Sequence, residues 1–315
     1  MNKNSLKAAS LISKTVSPDL LRDLDLTNDE LLYLLDLASA VKRKPRDYAH
    51  ALDGKSIALL FEKPSLRTKL TFEQAIKQLG GDSAFLEGPI GVREPLKDVA
   101  RNLERWFNGL VARVFAQQTV EELAKWAKVP VINALSDAYH PCQALADVLT
   151  IGERFGRFQG LKTAFVGDGN NVAQSLMLTS LRLGMDFALA CPEGYLPTPE
   201  IVDQAEGLAA VSGATLEITH DRAKALEGAH AVYTDVWASM GQEQEAVIRR
   251  KAFQAYQVNE EVFAMARPDA IFMHCLPAKR GEETTDGVME HARSAVFDQA
   301  ENRLHAQKAL LLMML

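Results

Sequence analysis

Residues 57–71 have the sequence IALLFEKPSLRTKLT, in which an apolar run passes into a polar turn and then into a helical pattern. The run Ile57 to Phe61 predicts a short buried strand. In the turn, Ser65 and Thr68 offer hydroxyls and Arg67 a guanidinium, while the first amides of the following helix lack intrahelical acceptors. A phosphate or carboxylate would meet donors from several directions there. An ordinary capped turn with a surface arginine is the alternative interpretation.

Strand and helix patterns alternate on both sides of this turn. The first series contains four apolar stretches: Ile57–Phe61, Ser83–Leu86, Leu110–Phe115 and Val129–Ala134. The second contains five: Lys162–Val166, Asp186–Ala190, Thr215–Thr219, His230–Thr234 and Ala270–Met273. Helical stretches separate the strands of the first series. This alternation predicts an α/β fold with two doubly wound parallel-sheet domains.

The stretch 156–160, Gly-Arg-Phe-Gln-Gly, marks the boundary between the two series. We therefore expect a first domain over residues 1–155, in which residues 1–18 form a flexible leader. The second domain covers residues 156–294. Residues 295–315 predict a C-terminal helix whose apolar face packs back on the first domain.

Composition excludes several classes of protein. With 315 residues and 47% apolar content the chain can bury a large core, and its formal net charge of -6 disfavours nucleic acid as a partner. The three cysteines are widely separated, which indicates neither a disulfide framework nor a zinc site and fits a reducing cytosol. No apolar run reaches membrane-spanning length. Neither a serine–histidine–acid set nor a cluster with metal-ligand spacing is present, so the sequence supports neither covalent nor metal catalysis, and we expect no metal.

Several polar residues follow predicted strands, where ligands bind in open parallel sheets. Besides the turn at 65–68 they are Arg113, His140, Asn171, Asp235, His274 and Cys275. We expect one cleft between the two halves to collect them. Arg113 interrupts an apolar strand, and a buried charge of this kind needs a partner such as a bound anion.

The residues around His140 suggest a ligand site at the start of a helix. Pro141 suits the first helical position, and His140 and Gln143 are three residues apart, so both can face one ligand. A satisfied structural histidine is the alternative. Asn171 similarly begins a helix and could hold a substrate carboxylate, although a structural turn is equally compatible with the pattern.

Two loops in the second half have competing interpretations. Gly167 to Asn171 favour a dinucleotide site only weakly, because the third glycine of that fingerprint is absent. Asp235 to Gly241 carry a carboxylate and a hydroxyl among small residues, which suits a lid that grips an amine. A surface loop with an exposed Trp237 is the alternative there.

Together these motifs resemble the transcarbamylase family, and within it the ornithine branch, over nearly all of residues 20–315. The resemblance implies a carbamoyl phosphate site made of Ser65, Leu66, Arg67, Thr68, Arg113, His140, Gln143, Cys275, Leu276 and Arg303. It implies an ornithine site made of Asn171, Asp235, Ser239 and Met240. Asp235 followed by Ser-Met-Gly distinguishes the ornithine branch from the aspartate and acylated-ornithine branches.

The chemistry implied by the resemblance is carbamoyl transfer to the δ-amine of ornithine, which yields citrulline and phosphate in arginine synthesis. Arg113 and His140 would stabilise the carbonyl oxygen, and Asp235 and Cys275 would orient and help deprotonate the amine. The resemblance further implies a cytoplasmic homotrimer that uses no metal or cofactor, with a cis peptide bond before Pro277.

Two positions depart from the pattern of the family. Leu66 stands where the ornithine branch usually has threonine, and Pro89 stands where many relatives have a glutamine that reaches a neighbouring subunit. These departures leave two alternatives: a transcarbamylase for another amine, such as an acylated ornithine or putrescine, and a non-catalytic carbamoyl phosphate-binding relative. A dinucleotide-dependent oxidoreductase rests only on Gly167 to Asn171.

Overall fold

A sheet of four parallel strands organises the first part of the chain in this computed structural model, which describes residues 15–238 and 243–315. The strands are β1 (Ser56–Phe61), β2 (Asp82–Glu87), β3 (Gly109–Arg113) and β4 (Val131–Leu135). Their order in the sheet is β2-β1-β3-β4. Each predicted strand of the first series is confirmed to within two residues at either end. Arg113 is the last residue of β3, so its charge stands at the strand end and not within the strand.

A second sheet of five parallel strands follows. The strands are β5 (Lys162–Val166), β6 (Asp186–Ala190), β7 (Leu216–Thr219), β8 (Ala231–Thr234) and β9 (Ile271–His274). Their order is β7-β6-β5-β8-β9, and each neighbouring pair is parallel. The predicted class, α/β with two parallel sheets, is confirmed. Parallel strands are covered on both faces, which explains why most of these strands are continuous apolar runs.

Twelve α-helices occur in the described residues, most of them between consecutive strands. They are α1 (Asn28–Arg43), α2 (Leu66–Gln78), α3 (Leu96–Leu103), α4 (Gln117–Trp126), α5 (Pro141–Phe155), α6 (Asn171–Arg182), α7 (Pro199–Ser212), α8 (Arg222–Leu226), α9 (Ala246–Phe253), α10 (Glu260–Phe263), α11 (Asp286–Met289) and α12 (Val296–Met314). In the same part of the chain, none of these helices has the length and apolar character needed to span a bilayer.

The chain divides into two compact units. Unit 1 contains the described residues up to Leu149 together with Glu301–Leu315, and unit 2 contains Thr150–Ala300. The points of division fall inside α5 and α12. Each unit has its own apolar core, built in unit 1 around β1, β3 and β4 and in unit 2 around β5, β6, β8 and β9.

Candidate active site

The turn after β1 has the strand, cap and helix that the sequence predicts. Ser65 has extended backbone angles, and its Oγ accepts the backbone N–H of Thr68 at 3.3 Å, so helix α2 begins at Leu66. The cap uses a lone pair of the Ser65 hydroxyl and leaves its hydrogen to donate elsewhere. Leu66 is 69% exposed and Arg67 is partly exposed, whereas Thr68 is buried.

Two guanidinium groups converge on the buried hydroxyl of Thr68. Its Oγ1 accepts from Arg113 Nη1 at 3.4 Å and from Arg303 Nη2 at 3.1 Å. Both arginines are more than nine-tenths buried. Two positive charges held side by side in a low-dielectric setting create a strong local preference for an anion.

The other terminal nitrogen of Arg303, Nη1, connects the contacts around Thr68 to helix α5. Arg303 Nη1 donates to Gln143 Oε1, and Gln143 Nε2 donates to Asp147 Oδ1 at 2.8 Å. The two bonds fix which end of the Gln143 amide faces the arginine. Asp147 is fully buried, and the Gln143 amide links its carboxylate to the Arg303 guanidinium.

His140 lies immediately before helix α5 and is 5% exposed. Burial, together with the positive charges of Arg303 and Arg113, lowers the pKa of His140 well below its ordinary value of 6.5. The imidazole is therefore neutral at physiological pH. A neutral imidazole can still donate one N–H to an oxygen on which negative charge develops.

Unit 2 contains a second polar group, centred on Asp235 at the end of β8. The carboxylate is 7% exposed. Its Oδ1 accepts from Cys275 Sγ at 3.0 Å, and its Oδ2 accepts from Asn170 Nδ2 at 2.9 Å. Because Cys275 follows the neighbouring strand β9, the adjacent ends of two strands bring the thiol and the carboxylate together.

Asn170 caps helix α6 as well as contacting Asp235. Its Oδ1 accepts the backbone N–H groups of Val172 at 3.0 Å and Ala173 at 3.1 Å. Since the carbonyl end of the amide is engaged by the helix, the amino end must face the Asp235 carboxylate. Asn171 is the first residue of α6 and is partly exposed.

The loop that follows β9 is fixed by a buried histidine. His274 Nδ1 accepts the backbone N–H of Leu276 at 2.9 Å, so the ring hydrogen is on Nε2, which lies 3.2 Å from Glu283 Oε1. Leu276 has φ of 61°, and the peptide bond between Leu276 and Pro277 is cis, which confirms that expectation. Asp235, His274 and Cys275 each place one potential ligand atom within 4.8 Å of the others.

Local packing and backbone conformation explain the glycines of the Gly167–Asn171 motif. A Cβ at Gly169 would lie 2.5 Å from the backbone nitrogen of Pro197, so no larger residue fits. Gly167 has φ of 151°, a conformation that L side chains rarely adopt. The glycine-rich pattern is thus explained by the turn itself.

The loop after Asp235 differs from its surface-loop interpretation. Trp237 is 5% exposed and stacks on Phe253 with ring centroids 6.2 Å apart. The alternative interpretation, in which Trp237 is exposed, is therefore wrong, because the ring belongs to the apolar core of unit 2. The two other expected ligand-binding residues of this loop, Ser239 and Met240, lie outside the described residues.

The structure therefore brings the expected residues together in two groups. The group in unit 1 contains Ser65, Leu66, Arg67, Thr68, Arg113, His140, Gln143 and Arg303. The group in unit 2 contains Asp235 and Cys275 in contact, with Asn171 and Leu276 in the adjoining segments.

Sequence reasoning missed three residues that hold these groups in place. Asp147 lies four residues after Gln143 on one helix, a spacing that could have signalled their hydrogen bond. Asn170 has the residue type of a helix N-cap, which was a usable signal. Arg249, described below, gave no signal in the sequence because it joins residues distant along the chain.

Comparison with known proteins finds matches to two family models and to individual relatives. The family model described as "Aspartate/ornithine carbamoyltransferase, carbamoyl-P binding domain" matches residues 18–153. That described as "Aspartate/ornithine carbamoyltransferase, Asp/Orn binding domain" matches residues 159–314. The chain is 53% identical to the ornithine carbamoyltransferase of Thermococcus kodakarensis, over 91% of this chain and 93% of the relative.

A relative and a solved structure from Pyrococcus furiosus are also similar to this chain. The chain is 50% identical to its anabolic ornithine carbamoyltransferase, over 93% of this chain and 95% of the relative. A solved structure of ornithine carbamoyltransferase from that organism superposes with a TM-score of 0.92 at 48% identity, covering 96% of this chain and 97% of the other.

Proposed function

The chain belongs to the aspartate/ornithine carbamoyltransferase family, and from this premise we propose that it transfers the carbamoyl group of carbamoyl phosphate to the δ-amine of L-ornithine. The products are L-citrulline and phosphate. The observation that carries the proposal is the convergence of Arg113 and Arg303 on Thr68, beside the capped turn of Ser65 to Thr68. This arrangement suits a small, highly charged phosphate compound.

In the proposed reaction the neutral amine attacks the carbamoyl carbon, and negative charge grows on the carbonyl oxygen and on the departing phosphate. Thr68, Arg113 and His140 stabilise the oxygen. The Thr68 hydroxyl accepts from two arginines and so has its own hydrogen to donate. Donors that are already in place when charge develops do not have to reorganise during the reaction.

Arg67, Ser65, Arg303 and the first amides of α2 hold the phosphate, and Gln143 orients the carbamoyl amino group. Because Gln143 is held between Arg303 and Asp147, its amide is already oriented before the substrate arrives. Pre-organisation of this kind reduces the entropy lost on binding. Leu66 contributes its backbone amide at this turn.

Unit 2 binds ornithine in this proposal, through Asn171, Asp235, Ser239 and Met240. Asp235 is the residue that receives an amino group of the substrate. Cys275 donates to one oxygen of Asp235 and Asn170 donates to the other, so the carboxylate is held in one orientation. The δ-amine is protonated in neutral water and must lose that proton before attack. Asp235 and Cys275 orient the amine and help transfer its proton to a phosphate oxygen of carbamoyl phosphate, which then departs with the phosphate.

We place the enzyme in arginine synthesis in the cytoplasm, because its relatives include an anabolic enzyme and its three cysteines are free thiols.

We further propose a homotrimer. Several apolar side chains of unit 1 away from the phosphate turn are exposed, among them Leu70, Leu86 and Val92. Leu86 lies on β2, an edge strand, and Lys69 Nζ lies 3.5 Å from the centre of the Phe85 ring, which places α2 beside β2. Apolar exposure at a sheet edge is typical of a surface that a second chain covers.

The trimer is tested by light scattering, with an expected mass of three times 34.7 kDa. The Leu86→Glu variant should dissociate, whereas Val211→Glu, at a position that is 86% exposed in unit 2, should not. A parent protein that runs as a monomer contradicts the proposed assembly.

The activity is tested by citrulline formation from carbamoyl phosphate with ornithine, N-acetylornithine or putrescine as acceptor. Ornithine should be preferred, and Asp235→Asn should lower kcat/KM for ornithine by about a hundredfold or more. The matched control, Asp203→Asn, alters an exposed carboxylate on α7 and should leave the rate unchanged. Equal activity of Asp235→Asn and the parent would overturn the substrate assignment.

A further inference from the structure

Arg249 joins two loops at the carboxyl ends of neighbouring strands. Its Nη1 lies 2.7 Å from Asp168 Oδ2 and 3.2 Å from the carbonyl oxygen of Trp237. Asp168 follows β5 and Trp237 follows β8, and these two strands are paired in the sheet. One nitrogen of one side chain therefore connects the loop after β5 to the loop after β8.

The same two loops are connected a second time at Asp235. Asn170, two residues after Asp168, donates to the Asp235 carboxylate at 2.9 Å, and Asp235 lies two residues before Trp237. The segment 235–237 is thus held at its first residue by Asn170 and at its last by Arg249. With both ends fixed, the Asp235 carboxylate has little freedom to turn.

Arg249 is itself fixed on several sides. It is 7% exposed, and its Nε lies 2.9 Å from Glu245 Oε2. Its guanidinium carbon lies 5.0 Å from the centre of the Tyr195 ring, and the Tyr195 carbonyl accepts the backbone N–H of Gly169. Because these contacts surround it, the guanidinium is held in one position. Lysine has a single ammonium group and cannot make the same set of contacts.

Asp168 depends on Arg249 in turn. Burial raises the pKa of Asp168 to about 6, and the charge of Arg249 opposes that shift. Breaking a buried ion pair by removing one partner leaves an uncompensated charge and is strongly unfavourable. Loss of Arg249 is therefore expected to displace Asp168, and with it the loop that carries Asn170.

We propose that Arg249 is a positioning residue for Asp235, which it holds in place through Asp168 and the Trp237 carbonyl, and that it thereby sets the affinity for the amino-acid substrate. The inference rests on the proposed assignment of Asp235 to ornithine. Arg249 does not contact Asp235, and its effect is transmitted by the two loops.

The experiment compares Arg249→Gln and Arg249→Lys with a matched control, Arg250→Gln. Arg250 is the next residue of α9, is exposed, and pairs with Glu282 at 3.2 Å. Steady-state kinetics give kcat and the two KM values. Hydrogen–deuterium exchange of the full-length protein reports the backbone amides of residues 235–238.

Arg249→Gln should raise KM for ornithine at least about tenfold and leave KM for carbamoyl phosphate within about twofold. Exchange at residues 235–238 should be at least about tenfold faster. Arg249→Lys should recover part of both effects, and Arg250→Gln should match the parent. If Arg249→Gln proves insoluble, Asp168→Asn is tested instead, because it keeps the arginine. This variant should likewise raise KM for ornithine and leave KM for carbamoyl phosphate nearly unchanged.

Two results would overturn the inference: equal changes in both KM values, which indicate general damage to the fold, or unchanged exchange at residues 235–238. The exchange measurement needs no turnover. A parent enzyme that makes no citrulline would therefore defeat the proposed function, whereas the exchange data would still decide whether Arg249 holds the loop.

Discussion

Arg303 Nη2 donates to the Thr68 hydroxyl at 3.1 Å, although the two residues are 235 positions apart in the sequence. The same guanidinium also contacts Gln143, so one side chain from helix α12 holds residues from α2 and α5. Arg113 completes the group through the same hydroxyl. The polar group of unit 1, which we propose binds the phosphate, is therefore a connected network in which the loss of one member disturbs the others.

Arg303→Lys should lower kcat/KM for carbamoyl phosphate by about a hundredfold, equivalent to about 2.7 kcal/mol. Lysine retains the charge but cannot donate to Gln143 and Thr68 simultaneously. Steady-state kinetics with varied carbamoyl phosphate provide the measurement. Arg154→Lys is the control, because Arg154 forms an exposed ion pair with Asp298 at 2.9 Å, and it should behave like the parent. A rate within about threefold of the parent for Arg303→Lys would show that the bidentate contact is dispensable.

Acidification should destabilise the protein through His140. Its folded pKa lies well below 6.5, because of burial and the nearby charges of Arg303 and Arg113, so between these two pKa values only the unfolded chain binds the proton. Stability is then lost as pH falls below about 6.5, at no more than about 1.4 kcal/mol per pH unit for one group.

Denaturant unfolding between about pH 5.5 and about pH 7.5, roughly one unit either side of an ordinary histidine pKa, measures this slope. His140→Gln should flatten it. His50→Gln, which alters an exposed side chain, should leave it as in the parent. An identical slope in His140→Gln and the parent would assign the pH dependence to other groups.

Alkylation by iodoacetamide in the folded state should modify Cys275 and spare the other two cysteines. Cys142 and Cys191 are buried, and burial raises the pKa of each thiol to about 12, so neither supplies thiolate. Cys275 is partly exposed. Mass spectrometry of native and unfolded samples measures the labelling, and activity should fall in parallel with it. Equal labelling of Cys142 in the native protein would contradict this accessibility.

Leu66→Thr should lower KM for carbamoyl phosphate by up to about tenfold, because it adds one hydroxyl donor at the phosphate turn. The side chain is 69% exposed, so the free energy of unfolding should change by no more than about 0.5 kcal/mol. Kinetics and denaturant unfolding provide the two measurements. Val211→Thr removes a comparably exposed apolar side chain elsewhere and should not affect KM. An increased KM in Leu66→Thr would mean that leucine is the better residue at this turn.

The sequence predicted the parts of the fold that depend on short-range patterns. The turn from β1 to α2 was recognisable because its strand, its cap and the start of its helix are close together in the sequence, and local preferences decide such units. Pro141 likewise placed the start of α5 at the correct residue. The end of β3 was placed two residues too late, because Val114 and Phe115 continue the apolar run beyond the last paired residue.

Long-range contacts were accessible to sequence reasoning only in part. Arg303 was assigned through resemblance, since nothing local to residues 301–305 indicates a contact with Thr68. The link from Arg249 to Asp168 spans 81 positions and has no periodic signature. The alternative interpretation, in which Trp237 is exposed on a surface loop, is wrong, and the small residues beside Trp237 in the sequence do not reveal that Phe253 packs against it.

The division of the chain has a consequence for inheritance by recombination. Unit 1 is discontinuous, and its segment Glu301–Leu315 contains the arginine that contacts Thr68 and Gln143. A crossover that exchanged everything after residue 149 between two relatives would import a foreign arginine-bearing segment into the anion-binding network. The exchangeable module is therefore residues 150–300, and the two flanking segments must be inherited as a matched pair.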